Sequence, residues 1–339
     1  MPNKSVARLM GTSALLLLPL LAAASDKEHC YLRDASAPTV STAFLLCEQG
    51  LIYATNDAGA TWTAHDTGAS VTLHAISFSD ANHGLVGGEG GTLLATADGG
   101  KTWAARKTGS TEHVLDIFTL GDRAWVGGFD GTILYSSDRG ATWVPQKSGT
   151  TMALEGIFFL DPDHGWAVGW SGTILNTADG GKNWKNIKTD AASWSLAAVY
   201  FNDLNTGWAV GFNGQLLCSS DGGATWKAQK SPTSSWLTSV ATDSSKRVWI
   251  AGDDQLLFST DSGATWRGIP VQNMFVSRVF PLGDSLRALG ELGILKQGGA
   301  NGLEWKRDDK LVPAGTHIGN SLEDAAKSTT GKLPQPYLP

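Results

Sequence analysis

The chain has 339 residues, 42% of them apolar and only 17% charged, a balance that excludes a disordered polypeptide. Its 41 glycines far exceed the roughly 24 that an average protein of this length carries, which points to tight turns and short strands rather than long helices. A formal net charge of -6 gives no electrostatic reason to expect nucleic acid or an anionic membrane surface as a partner.

At the N-terminus, Lys4 and Arg8 precede an apolar run from Leu9 to Leu21, and Ala22, Ala23 and Ala24 lead into the polar Ser25-Asp26-Lys27-Glu28. This is the three-part pattern of a secretory signal peptide over residues 1–24, with an apolar core too short for a permanent span. The mature protein is therefore expected to be periplasmic or secreted; the alternative is an uncleaved membrane anchor.

From Thr55 onward one pattern dominates, Ser/Thr-x-Asp-x-Gly-x-Thr/Asn-Trp. Its six copies carry Asp57, Asp98, Asp138, Asp179, Asp221 and Asp261 and end in Trp62, Trp103, Trp143, Trp184, Trp226 and Trp266. A worn seventh copy keeps Trp305 without the Asp, and the tryptophans follow one another at about forty residues. Four strand signals recur within each period; in the second repeat they fall at 73–78, 84–88, 92–96 and 102–107, separated by Gly, Asn and Asp turns. Four strands per forty residues mark a propeller blade. The expected fold is all-β, a single seven-bladed β-propeller over residues 25–310 with four antiparallel strands per blade. The first blade draws its innermost strand from the mature N-terminus, with Leu32 in the column of Leu73, Val114, Leu154, Leu196, Leu237 and Val276. Residues 311–339, with Pro, Gly, Ser and Thr, read as an extended or mobile tail.

Within each copy the Asp can accept hydrogen bonds from backbone N–H groups and a hydroxyl, the Gly supplies a positive φ, and the Trp buries a large ring between sheets. These roles are structural. The motif is identified as the Asp-box, or bacterial neuraminidase repeat, which occurs in sialidases and other secreted propellers. An upstream half is also shared: His164-Gly165-Trp166-Ala167-Val168-Gly169 is matched by Thr206-Gly207-Trp208-Ala209-Val210-Gly211 and by His83-Gly84-Leu85-Val86-Gly87-Gly88. Over nearly all of residues 30–310 this extended pattern resembles the photosystem II stability and assembly factor family of seven-bladed propellers. The resemblance implies a non-enzymatic assembly chaperone for a membrane complex. It also implies a basic, Arg-rich contact surface in phototroph members, whereas Arg33, Arg106, Arg247 and Arg278 are scattered here.

Catalytic constellations are sparse. A sialidase signature would need Arg-Ile-Pro near the N-terminus, and the closest match is the interrupted Arg267-Gly268-Ile269-Pro270 in the sixth repeat. Asp34, Asp116 and Glu155 lie on innermost strands, either as a glycosidase-type carboxyl pair or as solvated channel groups. His29, His65, His74, His83, His113, His164 and His317 show no paired ligand spacing, so neither a metal nor a cofactor is expected. Of three cysteines, Cys30 begins the innermost strand of the first blade and Cys47 ends the second, at the same end, which predicts a Cys30–Cys47 disulfide with Cys218 left as a buried thiol.

A partner surface is legible in the loops joining strand two to three and strand four to the next blade. The first of these joints carries Glu89, Phe129, Trp170, Phe212, Asp253 and Glu291, and the neighbouring loops add Met152, Trp194, Trp236, Met274 and Phe275. Exposed aromatic and Met clusters are the usual composition of binding surfaces, the alternative being that the rings fold down onto neighbouring blades. His74, Asp116, Glu155 and Arg278 would line the channel mouth. Of the 14 tryptophans, seven close repeats and four (Trp125, Trp166, Trp208, Trp249) share one core column, which leaves Trp170, Trp194 and Trp236 on this face. The resulting expectation is an exported, non-enzymatic, monomeric scaffold that binds a protein segment or an apolar ligand and assists a membrane-associated assembly or export system. The alternative is a carbohydrate-active enzyme using the channel carboxylates.

Overall fold

The computed structural model describes residues 31–47, 49–290, 293–298 and 303–308; the expected signal peptide of residues 1–24, Cys30, Glu291 and the expected tail of residues 311–339 lie outside the described residues. Among the described residues, regular structure is strand throughout apart from four one-turn 3₁₀ segments, and the strand pairings are antiparallel. The sheets follow the sequence repeat. In repeat two, Leu73–Phe78, Gly84–Gly88, Leu93–Thr96 and Ala104–Ala105 lie side by side in chain order, and each of repeats one to five forms such a four-stranded sheet. The first three strands fall within a residue of where the hydrophobic pattern puts them. The fourth is shorter than expected, because the outermost strand is paired on one side only and its residues stay exposed.

Repeats six and seven share one six-stranded sheet, since Val248–Ser259 and Arg267–Leu282 run on without a break. Residues 248–252 pair with Leu237–Thr242, 255–258 with 267–270, and 276–282 with Ser285–Gly290. Repeat six is one residue shorter between strands two and three (Gly252-Asp253-Asp254-Gln255 against Gly211-Phe212-Asn213-Gly214-Gln215), so no 3₁₀ turn forms and the run passes through Asp254 at φ 62°.

Packing between repeats explains the shared His/Thr-Gly element. Phe159 and Phe201, at the ends of first strands, lie flat against Trp166's and Trp125's column: Trp125 stacks on Phe159 at 3.7 Å and Trp166 on Phe201 at 3.6 Å. Each Phe then meets the Asp-box Trp of its own repeat edge-on, at 5.8 Å for Trp184 and 5.7 Å for Trp226. Gly165 and Gly207 leave room for these rings; a Cβ would stand 2.4 Å from Phe159 and 2.6 Å from Phe201. The column tryptophans are almost wholly buried, and Trp125 and Trp166 donate Nε1–H to the carbonyls of Gly180 and Gly222 in the next repeat's Asp-box. At these two junctions burial of the core and satisfaction of its polar atoms are arranged across the repeats, whereas Trp249 Nε1–H donates to Asp243 of its own repeat at 2.9 Å and Trp208 Nε1 has no hydrogen-bond partner. Repeat one also packs on repeat seven, without a Trp–Phe stack: Leu32 and Leu45 share a cluster with Phe280, Leu282 and Leu289, and Gly283 N–H donates to the Val40 carbonyl at 2.6 Å.

Candidate partner-binding face

The first strand of each repeat carries a register shift at its second residue, so Arg33, His74, Leu115, Glu155, Ala197, Thr238 and Ser277 sit at bulges. A bulge re-aims its side chain out of the regular ladder. These seven positions lie at the end of the strands that also bears the joints between strands two and three. Strand alternation places the Asp-boxes, which join strands three and four, at the opposite end.

Each joint is tied to the loop entering its own repeat. Backbone N–H groups of Phe129, Trp170, Phe212 and Asp253 donate to the carbonyls of His113, Ala153, Ser195 and Trp236 at 2.9–3.1 Å. The tie brings joint rings beside loop rings. One run consists of His74–His113 (6.4 Å between centroids), His113–Phe129 (5.1 Å) and Phe129–Trp170 (5.6 Å). The other consists of Trp194–Phe212 (6.0 Å), Phe212–Trp236 (6.4 Å) and Trp236–Phe275 (5.5 Å). The two expectations for these rings divide between the runs. Phe129 and Trp170 are half-buried, and Trp170 Nε1–H donates to Glu155 Oε1 at 2.5 Å. Trp194 is 47% exposed, Phe212 and Met152 36% each, while Trp236 and Phe275 are partly open. The Trp194 loop is held by Gln215, whose Oε1 accepts from Ser193 N–H at 3.1 Å and whose Nε2 donates to the Ala191 carbonyl at 2.9 Å. A groove of about 1020 Å³ opens beside Met152 between repeats three and four, with Lys147 and Lys188 among its lining residues.

The polar residues expected at the channel mouth sort into two levels. His74 and Glu155 sit at the bulges. Burial and the nearby Arg33 charge hold the His74 imidazole down at about 4, so it is neutral near pH 7, and its Nδ1 has no hydrogen-bond partner. Burial pushes the Glu155 carboxyl up, against the pull of Trp170 and Arg33. Asp116 and Arg278 lie one residue further along their strands, below the mouth where they were expected, together with Asp34. Asp116 Oδ1 accepts from Ile117 N–H at 2.9 Å and Oδ2 from Ile157 N–H of the next repeat at 2.8 Å. Asp34 does the same with Ala35 and Ile76 at 2.8 and 2.9 Å, and its Oδ1 lies 3.1 Å from Arg278 Nη1. Burial pushes the Asp116 carboxyl up to about 7; Arg278 opposes that rise and Asp34 adds to it. Asp34 thereby ties the first strand of repeat one to that of repeat two, and Asp116 ties that of repeat three to that of repeat four.

At the far end the Asp-box geometry repeats. In the second copy, Thr96 Oγ1–H and Thr102 N–H donate to Asp98 Oδ1 at 2.8 and 2.9 Å, Thr102 Oγ1–H donates to Oδ2 at 2.6 Å, and Gly100 N–H donates to Thr96 Oγ1 at 3.0 Å. These donors hold the carboxyl down at about 2, the Thr102 hydroxyl most strongly. Asp57, Asp138, Asp179, Asp221 and Asp261 have the same set, with Asn183 replacing the Thr at Asp179. His83 and His164 each bond a turn Asp, Asp80 and Asp161, through Nδ1 at 2.9 Å. Among the described residues no group of three or more His, Cys, Asp and Glu could hold a metal. Cys47 is disulfide-bonded, Cys218 is a free thiol raised by burial, and Cys30, the expected partner of Cys47, lies outside the described residues.

The model of the family described as photosynthesis system II assembly factor YCF48 matches residues 66–148, 143–196 and 186–278, well over half of the chain. The chain belongs to this family. Among solved structures, it is similar to YCF48 bound to D1 peptide, with 22% identity and a TM-score of 0.65, covering 79% of this chain and 91% of that one. It is also similar to YCF48 from Cyanidioschyzon merolae, with 20% identity and a TM-score of 0.65, covering 78% and 94%. A GH74 enzyme from Niastella koreensis gives a TM-score of 0.66 at 15% identity, over 82% of this chain but 53% of the enzyme. At such identities these likenesses show a shared β-propeller fold. No curated protein shows a significant match.

Sequence reasoning found the aromatic columns but missed Gln215, His113 and Arg33 as members of the face. The bulge column, one residue after each first-strand Leu or Val, is the signal that would have found Arg33.

Proposed function

We propose that the protein is an exported, non-enzymatic seven-bladed propeller that captures a protein segment on the Trp194–Phe212–Trp236–Phe275 face and so assists assembly of a membrane-associated complex. The observation that carries this reading is the run of open rings held on hydrogen-bonded turns, a rigid apolar surface in an otherwise polar rim. Family membership supports an assembly role, and the relative solved with D1 peptide supports a peptide-type ligand. Seven blades closing as a ring are supported by the seven sequence repeats and by the packing of Leu32 and Leu45 against Phe280 and Leu282. Non-enzymatic action fits carboxyls that are already engaged by backbone N–H groups, Arg278 and Trp170. Export rests on the signal pattern of residues 1–24.

The test replaces Trp194, Phe212 and Trp236 by Ser in the tagged full chain and compares capture of its partner from envelope extracts. A loss of at least about thirty-fold in affinity, with an unchanged thermal midpoint, is the expected outcome. Undiminished capture by the triple variant would refute it.

A further inference from the structure

The open aromatic run ends at two carboxylates. Asp253 occupies in repeat six the joint position that Phe212 fills in repeat five; its N–H is bonded to the Trp236 carbonyl at 2.9 Å, and it pairs in register with Phe275. Asp254 follows it at φ 62°, and both residues are exposed. No ion pair or side-chain hydrogen bond engages either carboxylate among the described residues. Glu155 of the same face is, by contrast, held by Trp170 Nε1–H. The Asp253 carboxyl is raised by partial burial against its surroundings and by the adjacent Asp254 charge, a cost that an incoming cation would relieve.

Successive rings along the run stand 6.0, 6.4 and 5.5 Å apart, a spacing that matches both alternate side chains of an extended chain, at about 6.6 Å, and the i and i+4 side chains of a helix, at about 6 Å. A segment in either conformation can therefore set successive apolar side chains on successive rings.

We infer that the segment bound on this face is apolar over Trp194, Phe212 and Trp236 and carries a Lys or Arg at the end that meets Asp253 and Asp254. This rests on the reading of the face as a segment-binding site and adds the chemistry of its partner. The cation would form charge-assisted hydrogen bonds at a rim position, which sets orientation and association rate more than raw affinity.

The experiment selects a random peptide-display library against the full chain, then measures the enriched peptides by fluorescence anisotropy against D253N/D254N and F212S/W236S at low and high salt. Thermal midpoints of both variants serve as the folding control. Expected are peptides with apolar residues next to a Lys or Arg, weakened about five- to ten-fold by D253N/D254N at low salt, with the difference shrinking at high salt. F212S/W236S should abolish their binding. Peptides that depend on Phe212 and Trp236 but show no basic bias and no response to D253N/D254N would overturn this inference while leaving segment binding intact. If no enriched peptide depends on Phe212 and Trp236, both the inference and the segment-binding reading fall.

Discussion

At the scale of single residues, the Asp-box shows how one carboxylate can organise a turn without doing chemistry. Asp98 collects two hydroxyls and a backbone N–H, and these donors hold its carboxyl at about 2, below the ordinary value of 3.8. A depressed acid contributes stability that is fully present above the unfolded value and lost as pH falls through the folded one. Asp98→Ala should therefore destabilise the protein by about 1–2 kcal/mol at pH 7, and the gap to the native chain should close as the pH approaches 2. Urea titrations at pH 7 and pH 2.5 check this; a gap that persists undiminished at the lower pH would contradict it. The box residues were legible in sequence because their partners lie within four positions along the chain. Glu155 was not, since its partner Trp170 reaches it through a pairing that only the folded sheet creates.

At the scale of elements, the junction between successive sheets depends on a Gly too small to notice in composition alone. Gly165 faces the Phe159 ring, and a Cβ there would sit 2.4 Å from it. The backbone at Gly165 does not need a positive φ, so the cost of Gly165→Ala is steric rather than conformational. Overpacking of this kind costs about 1–3 kcal/mol. Combining it with Phe159→Leu should recover part of that loss, because the smaller side chain vacates the contested space, although the stack on Trp125 goes with it. Chemical denaturation of both single variants and the double variant gives the coupling energy; strict additivity would show that the two sites do not compete. The expected strand pattern held through the first five repeats, where Gly-rich joints separate strands two and three. It blurred at repeat six, where one missing residue removes the 3₁₀ turn and two strands read as a single run.

At the scale of the whole molecule, polar side chains on first strands tie distant parts of the sequence together. Asp116 bonds Ile157 in the next repeat, while Asp34 bonds Ile76 and pairs with Arg278, more than two hundred residues away. Burial raises Asp116 to about 7, above its unfolded value of 3.8. The sign of the linkage is opposite to that of the Asp-box: the folded chain holds the proton more tightly, so this contribution is fully present below about 3.8 and is lost as pH rises through about 7. Asp34, Arg278 and the backbone N–H groups of Ile117 and Ile157 are the groups that face it. Asp116→Asn should flatten the stability profile between pH 4 and pH 7, measured by denaturant midpoints across that range. A slope unchanged by the substitution would show that Asp116 does not titrate there.

The sequence alone determined the repeat, the four-strand unit, the Asp-box turns and the columns that hold Trp and Phe, because each rests on hydrogen bonds or side-chain alternation within about forty residues. Only the tertiary structure decided which rings stay open: Trp170 in the joint column finds Glu155, while Trp194 stands on an entry loop that Gln215 holds. Likewise, only packing across repeats turned Asp34 and Asp116 from candidate acids into staples. Exposure and partner choice are properties of surfaces brought together from different repeats, and spacing along the chain does not encode them.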